Sequence, residues 1–156
     1  MIPAEKLTGE LFDIFEETFE QVHGIYLNRG TSLFETLSTI SAEQASQPVS
    51  STCASIAAQV EHVRFYLEVL EVDLQGGESG KADWDAIWQT VEAVSAEEWA
   101  VSQTRLRETY ARVMAEMRAI TDWNESDKLA AALHMLVHTA YHLGEIRQAL
   151  CMVQLG

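Results

Sequence analysis

SIAAQVEHVRFYLEVLEVDL, residues 55–74, carries its apolar side chains at Ile56, Val60, Val63, Leu67, Leu70 and Leu74. Spacings that alternate between four and three trace one stripe along an α-helix facing a core. Ser50, Ser51 and Thr52 precede it, and any of them can cap the helix by accepting from an unpaired N–H. QGGESG, residues 75–80, follows as the clearest linker in the chain. Beyond it, from Lys81 to Leu143, there is neither glycine nor proline. A sheet protein needs turn residues at short intervals, so this run requires helix.

Working outward, Ser95-Ala96-Glu97-Glu98 fits a capping box with Ser95 at N-cap and Glu98 at N3. The helix it opens turns Trp99, Leu106, Tyr110, Val113, Met117 and Ile120 inward. A polar connection over residues 121–126 leads to a last helix over about residues 127–153. Near the start, Leu7, Leu11, Ile14, Thr18 and Val22 mark a first helix, with Phe12, Phe15 and Phe19 beside the stripe. Residues 24–30 interrupt it, Thr31 restarts a helix through Leu33, Phe34, Leu37 and Ile40, and residues 41–49 read as a loop. Asp83-Trp84-Asp85 and Ile87-Trp88 fit a short helix between the linker and Ser95. Four long helices, the first kinked, predict an all-α four-helix bundle, one domain over residues 1–156.

Composition narrows the function classes. The chain has 156 residues, 24 Asp and Glu against 10 Lys and Arg, and a net charge of −14. That field repels phosphate backbones and anionic lipid, so no nucleic-acid or membrane partner is expected. The longest uncharged apolar stretch, residues 129–144, is too short to span a bilayer and contains three histidines. The first residues carry Glu5, Lys6, Glu10 and Asp13 and no apolar leader core, and Cys53 and Cys151 form no paired motif. The expectation is a cytoplasmic protein with two free, buried cysteines. Gly76-x-x-x-Gly80-Lys81-Ala82 is one residue short of a phosphate loop and lacks its Ser or Thr. Glu20-x-x-His23 matches half of a di-iron site that needs the element on two helices.

Histidine is the informative residue. His134, His138 and His142 share one helix at spacings of four, so neighbours project from one face, about 6 Å apart along the axis. Two such imidazoles can close on one ion, whereas the outer two, about 12 Å apart, cannot. The pair is 134/138 or 138/142, and the spacing leaves both open. A third ligand has to come from another helix, and His62, beside the Val60/Val63 stripe, is the candidate. Three neutral imidazoles with an open position suit a divalent ion such as Zn²⁺, Ni²⁺ or Fe²⁺. Glu145 lies three residues after His142 on the same face, as a fourth ligand or a carboxylate behind the ligands. Trp84 and Trp88 read as core or lid packing.

The segment His138-Thr-Ala-Tyr-His142-Leu-Gly-Glu-Ile-Arg-Gln-Ala-Leu resembles the last-helix signature of the DinB-like (DinB/YfiT) superfamily. Ser55-Ile-Ala-Ala-Gln-Val-Glu-His62 resembles its second-helix signature, and residues 33–45 resemble the end of its first helix and the loop that follows. The resemblance covers roughly residues 30–150. It implies a four-helix bundle with a long crossover connection, a homodimer, and a divalent metal on His62, His138 and His142, which leaves His134 as a packing residue. It implies neither polymerase activity nor DNA binding. Characterised relatives include S-transferases that use low-molecular-weight thiols and a mycothiol-dependent maleylpyruvate isomerase. The implied function is a metal-dependent transferase or related hydrolase or isomerase acting on a small-molecule substrate or thiol. The alternative is a non-catalytic metal-binding or interaction bundle. The last helix is apolar on nearly all sides: Leu129, Leu133, Leu136, Ala140 and Leu143 lie opposite His138, while Ala131, Tyr141 and Ala149 lie beside it. Such a helix is either central in the monomer or packed on a second subunit.

Overall fold

The computed structural model describes residues 3–83, 88, 91, 93–124 and 127–155, and among them every regular element is an α-helix. In chain order these are α1 (Ala4–Phe19), α2 (Leu33–Leu37), α3 (Ala42–Ser46), α4 (Ile56–Leu74), α5 (Ala96–Ala119) and α6 (Lys128–Leu155). Trp84 and its neighbours 85–87 lie outside the described residues. No helix is long and apolar enough to cross a membrane among the residues described. Two compact units divide the chain, one up to Thr39 and one from Ile40 onward.

In the first unit α1 buries Leu11, Phe15, Thr18 and Phe19 but leaves Leu7 exposed, so its inner face turns toward the phenylalanines rather than along the Leu7–Val22 line. Phe15 stacks on Phe19 at 6.0 Å, and Phe19 meets Phe34 at 5.8 Å. The helix stops at Phe19, short of Val22, and the reason is a competing set of hydrogen bonds. Glu17 is fully buried, and its two oxygens accept from the backbone N–H groups of His23, Ile25, Tyr26 and Leu27 at 2.6–2.8 Å. One carboxylate thus satisfies four donors of a loop that has left the helix at Gly24, whose φ is 89°. His23 lies in that loop and is exposed, so Glu20 and His23 do not share a helix face. The restart comes at Ser32, not Thr31: its hydroxyl accepts from Glu35 N–H while Glu35 reaches back to the Ser32 N–H. α2 then ends after one turn, before Ile40.

The second unit carries the long helices. All six stripe residues of α4 are buried, and the helix packs against both α5 and α6. Its cap is Ser55, which accepts from Ala58 N–H. Ser50, Ser51 and Thr52 lie outside the helix, in a turn closed by Cys53 N–H donating to Ser50 C=O. α5 opens on the Ser95/Glu98 capping box and buries Trp99, Leu106, Tyr110, Val113 and Met117, with Ile120 half-buried at its end. The stretch expected as loop contains α3, a single turn with its own capping box from Ser41 and Gln44. It is tied down at both sides: Trp99 Nε1 donates to Ile40 C=O at 2.8 Å, and Val94 N–H donates to Ser46 Oγ at 2.9 Å. Charged pairs bind α4 to α5, with Arg112 in two bonds to Glu71 and Ser102 donating to Glu61.

Along α6, Ala132, Met135, Leu136, Leu143 and Ile146 are buried, whereas Leu133, Val137 and Tyr141 are exposed by 43, 66 and 62%. The helix is therefore covered on most of its circumference but keeps one apolar edge in water. Both cysteines are free and exposed, against the expectation that they are buried. Cys53 falls in the turn ahead of α4 and Cys151 on the outer side of the last turns of α6, where neither can reach the core.

Candidate metal centre

His62 projects from α4 and His138 and His142 from α6, the two helices that pack along one another. The three rings form a nearly equilateral cluster, with centroids 4.9 Å apart for His62–His138, 4.8 Å for His62–His142 and 4.5 Å for His138–His142. Their ligating nitrogens lie within 4.8 Å of one another, and this is the one such cluster of His, Cys, Asp or Glu among the described residues. His62 and His142 are buried and His138 is half-buried. His134, one turn earlier, is exposed and borders a different hollow with Asp73, Glu78 and Asp127. Of the two pairs that the spacing allowed, 138/142 meets His62.

Packing fixes the rings. Tyr66, one turn beyond His62 on α4, stacks flat on His138 at 3.6 Å with planes 6° apart. Trp88 stacks on His62 at 4.3 Å. Nδ1 of His142 lies 2.9 Å from Glu145 Oε2. A carboxylate behind an imidazole sets the tautomer and orientation that metal ligation needs.

The three histidines could hold a metal ion, and one pair of their nitrogens stands at ligating separation. Two metal–nitrogen bonds of about 2.0–2.1 Å, at angles of about 90–109°, hold their nitrogens about 2.8–3.4 Å apart. Nε2 of His62 and Nε2 of His138 are 3.0 Å apart. Nδ1 of His138 is buried and has no hydrogen-bond partner among the described residues. Burial pushes the His62 pKa down to about 4, assisted by His142 and opposed by Glu145. Burial, then His142 and His62, pushes His138 down to about 3, and burial lowers His142 against the pull of Glu145. Near neutral pH the cluster is therefore three uncharged imidazoles, the form in which histidine ligates metal.

Beside the cluster opens a cavity of about 1030 Å³. His142 forms part of its wall, with Trp88, Tyr141 and Glu145 next to it and Val49, Ala149 and Met152 giving it apolar surface. Cys53 and Gln59 also face it. Sequence reasoning had Trp88 only as packing and did not single out Gln59. A glutamine one turn before a histidine carries no signal until the fold shows what lies in front of it.

Residues 27–146 match the family model described as the DinB superfamily. The chain belongs to the DinB superfamily. The match takes in α2 to the middle of α6, with all three histidines and Glu145, and begins after α1. A histidine cluster compatible with metal binding thus sits within the part of this DinB-superfamily chain that defines the family. No curated protein and no solved structure matches the chain.

Proposed function

We propose that His62, His138 and His142 hold one divalent ion with a coordination position open toward the cavity, and that the protein is a metal-dependent transferase acting with a low-molecular-weight thiol. The supporting observation is the 3.0 Å approach of two imidazole nitrogens from separate helices beside a cavity of about 1030 Å³. A plugged cavity would favour the non-catalytic alternative. When bound, the ion supplies a Lewis acid that lowers the pKa of a thiol or water reaching its open position. The chain's own part is to hold and orient. Tyr66 and Trp88 stack on two of the rings, Glu145 lies against the third, and Val49, Ala149 and Met152 give the cavity an apolar wall. Cobalt substitution tests the reading. Adding 2-mercaptoethanol to the Co²⁺-loaded protein should produce a near-ultraviolet sulfur-to-metal charge-transfer band, and His138→Ala should abolish it. An unchanged cobalt spectrum would defeat the thiol reading.

The same proposal includes a homodimer formed through the exposed edge of α6. Leu133, Val137 and Tyr141 repeat every four residues and keep their apolar side chains in water. Val137→Glu should convert the dimer to monomer in sedimentation, whereas a wild-type monomer at high concentration would refute the interface.

A further inference from the structure

We propose that the cavity beside the histidine cluster accepts a small molecule bearing an ammonium or similar cation and rejects carboxylate-bearing ones, with Glu145, Trp88 and Tyr141 reading the charge. That this molecule is the substrate rests on the reading of the cluster as a reactive metal centre. The charge selectivity itself rests on the walls alone.

All 10 Lys and Arg side chains belong to described residues, and none of them lines the cavity. Arg64 is held by Glu61 and Glu68, and Arg112 by Glu71. Arg105 borders a separate groove among Glu61, Glu97 and Glu98. An anion entering the cavity would shed water and meet no cation in return. It would also face Glu145, the one carboxylate of the lining among the described residues. The whole chain's charge of −14 opposes it further.

A cation meets the opposite conditions. Trp88 and Tyr141 offer aromatic faces, the surfaces that attract ammonium groups. Glu145 lies 2.9 Å from His142 Nδ1, which ties its charge to the wall. Gln59 is 8% exposed, and its Oε1 has no donor among the described residues. It leaves a neutral acceptor at the same wall. Together these are the components of a cation site, set one turn from the nearest histidine. Applied to thiols, amino-thiols should bind well and the carboxylate-rich thiols poorly.

The test uses matched six-carbon probes on metal-free protein. Hexylamine, hexanol and hexanoate would be titrated while the amide resonances of Cys53, Trp88, Glu145 and Gln148 are followed by NMR. The amine should bind about tenfold more tightly than the carboxylate, with the alcohol between them. Glu145→Gln should remove the amine's advantage over hexanol while hexanol still binds. Trp88→Leu should weaken the amine more than the alcohol, which covers the case in which the first variant misfolds. Hexanoate binding as tightly as hexylamine would overturn the proposal, and so would silence at these resonances with all three probes. Because no metal is present, a protein that never binds an ion can still pass this test, and one that fails it can still bind an ion.

Discussion

Two buried polar groups in this molecule answer the same problem in opposite ways. In the first unit, Glu17 is removed from water and receives four backbone N–H groups, so the chain itself meets its hydrogen-bonding need. In the second, three imidazoles converge, and Nε2 of His62 faces Nε2 of His138 at 3.0 Å, a contact in which one neutral ring donates and the other accepts. The contrast separates a polar group that builds a loop from a set of imidazoles that could hold an ion, and each half can be attacked experimentally.

The largest expected effect is at the histidines. His138→Ala should lower Zn²⁺ affinity by at least about a thousandfold, since a bond to a structural or catalytic ion is worth several kcal/mol. Circular dichroism of the metal-free variant should keep its helical signal, because His138 is half-buried and caps nothing. A variant that still binds one ion per chain would remove the distinction between the two sites. Next comes Glu17→Gln. Its amide NH₂ would point at backbone donors in place of a carboxylate oxygen, and a loss of about 3 kcal/mol in denaturant unfolding is expected. Metal stoichiometry should not change.

Acid should dissect the two sites in sequence. The histidine pKa values lie at about 4 and about 3, below the ordinary 6.5. Their contribution to metal-free stability is present above pH 6.5 and is lost as pH falls toward 3. Burial pushes the Glu17 carboxyl up, but the N–H groups of Ile25, Leu27, Tyr26 and His23 outweigh it and bring its pKa from 4.5 to about 2. That contribution is present above pH 4.5 and is lost only as pH falls toward 2. Thermal melts of metal-free protein should therefore weaken first between pH 6.5 and 4, and Zn²⁺ should raise the melting temperature across that limb without flattening it, because the unfolded histidines still take up the protons. A single transition confined below pH 4 would contradict the pairing of sites with pH ranges. The smallest effect serves as a control. Ser95→Ala removes the helix cap of α5 and should cost about 1 kcal/mol, with metal affinity unaltered.

What could be read from the sequence follows the strength of its periodicity. The α4 stripe, the Ser95 capping box and the extent of α6 all emerge from spacing, because long amphipathic helices repeat their signal many times. Short elements repeat nothing: α3 spans five residues, and its Ser41/Gln44 box was passed over as loop. The cap of α4 is Ser55, three to five residues beyond Ser50, Ser51 and Thr52, because side-chain chemistry alone does not tell these hydroxyl caps apart. The end of α1 depended on Glu17 reaching residues six to ten positions ahead, a contact that no local pattern encodes. At the metal centre, spacing supplied two histidine pairs of equal merit. Only the height of His62 against α6 distinguishes them, and that is a property of helix packing. The cavity was invisible for the same reason, since Cys53, Trp88 and Glu145 lie on three separate segments of chain.

Metal content measures the central claim most directly. Wild-type protein and His62→Ala, each incubated with excess Zn²⁺ and dialysed exhaustively, would be assayed by elemental analysis. The account predicts one ion per chain in the wild type and essentially none in the variant. A wild type that emerges empty, or a variant that retains its ion in full, would contradict it.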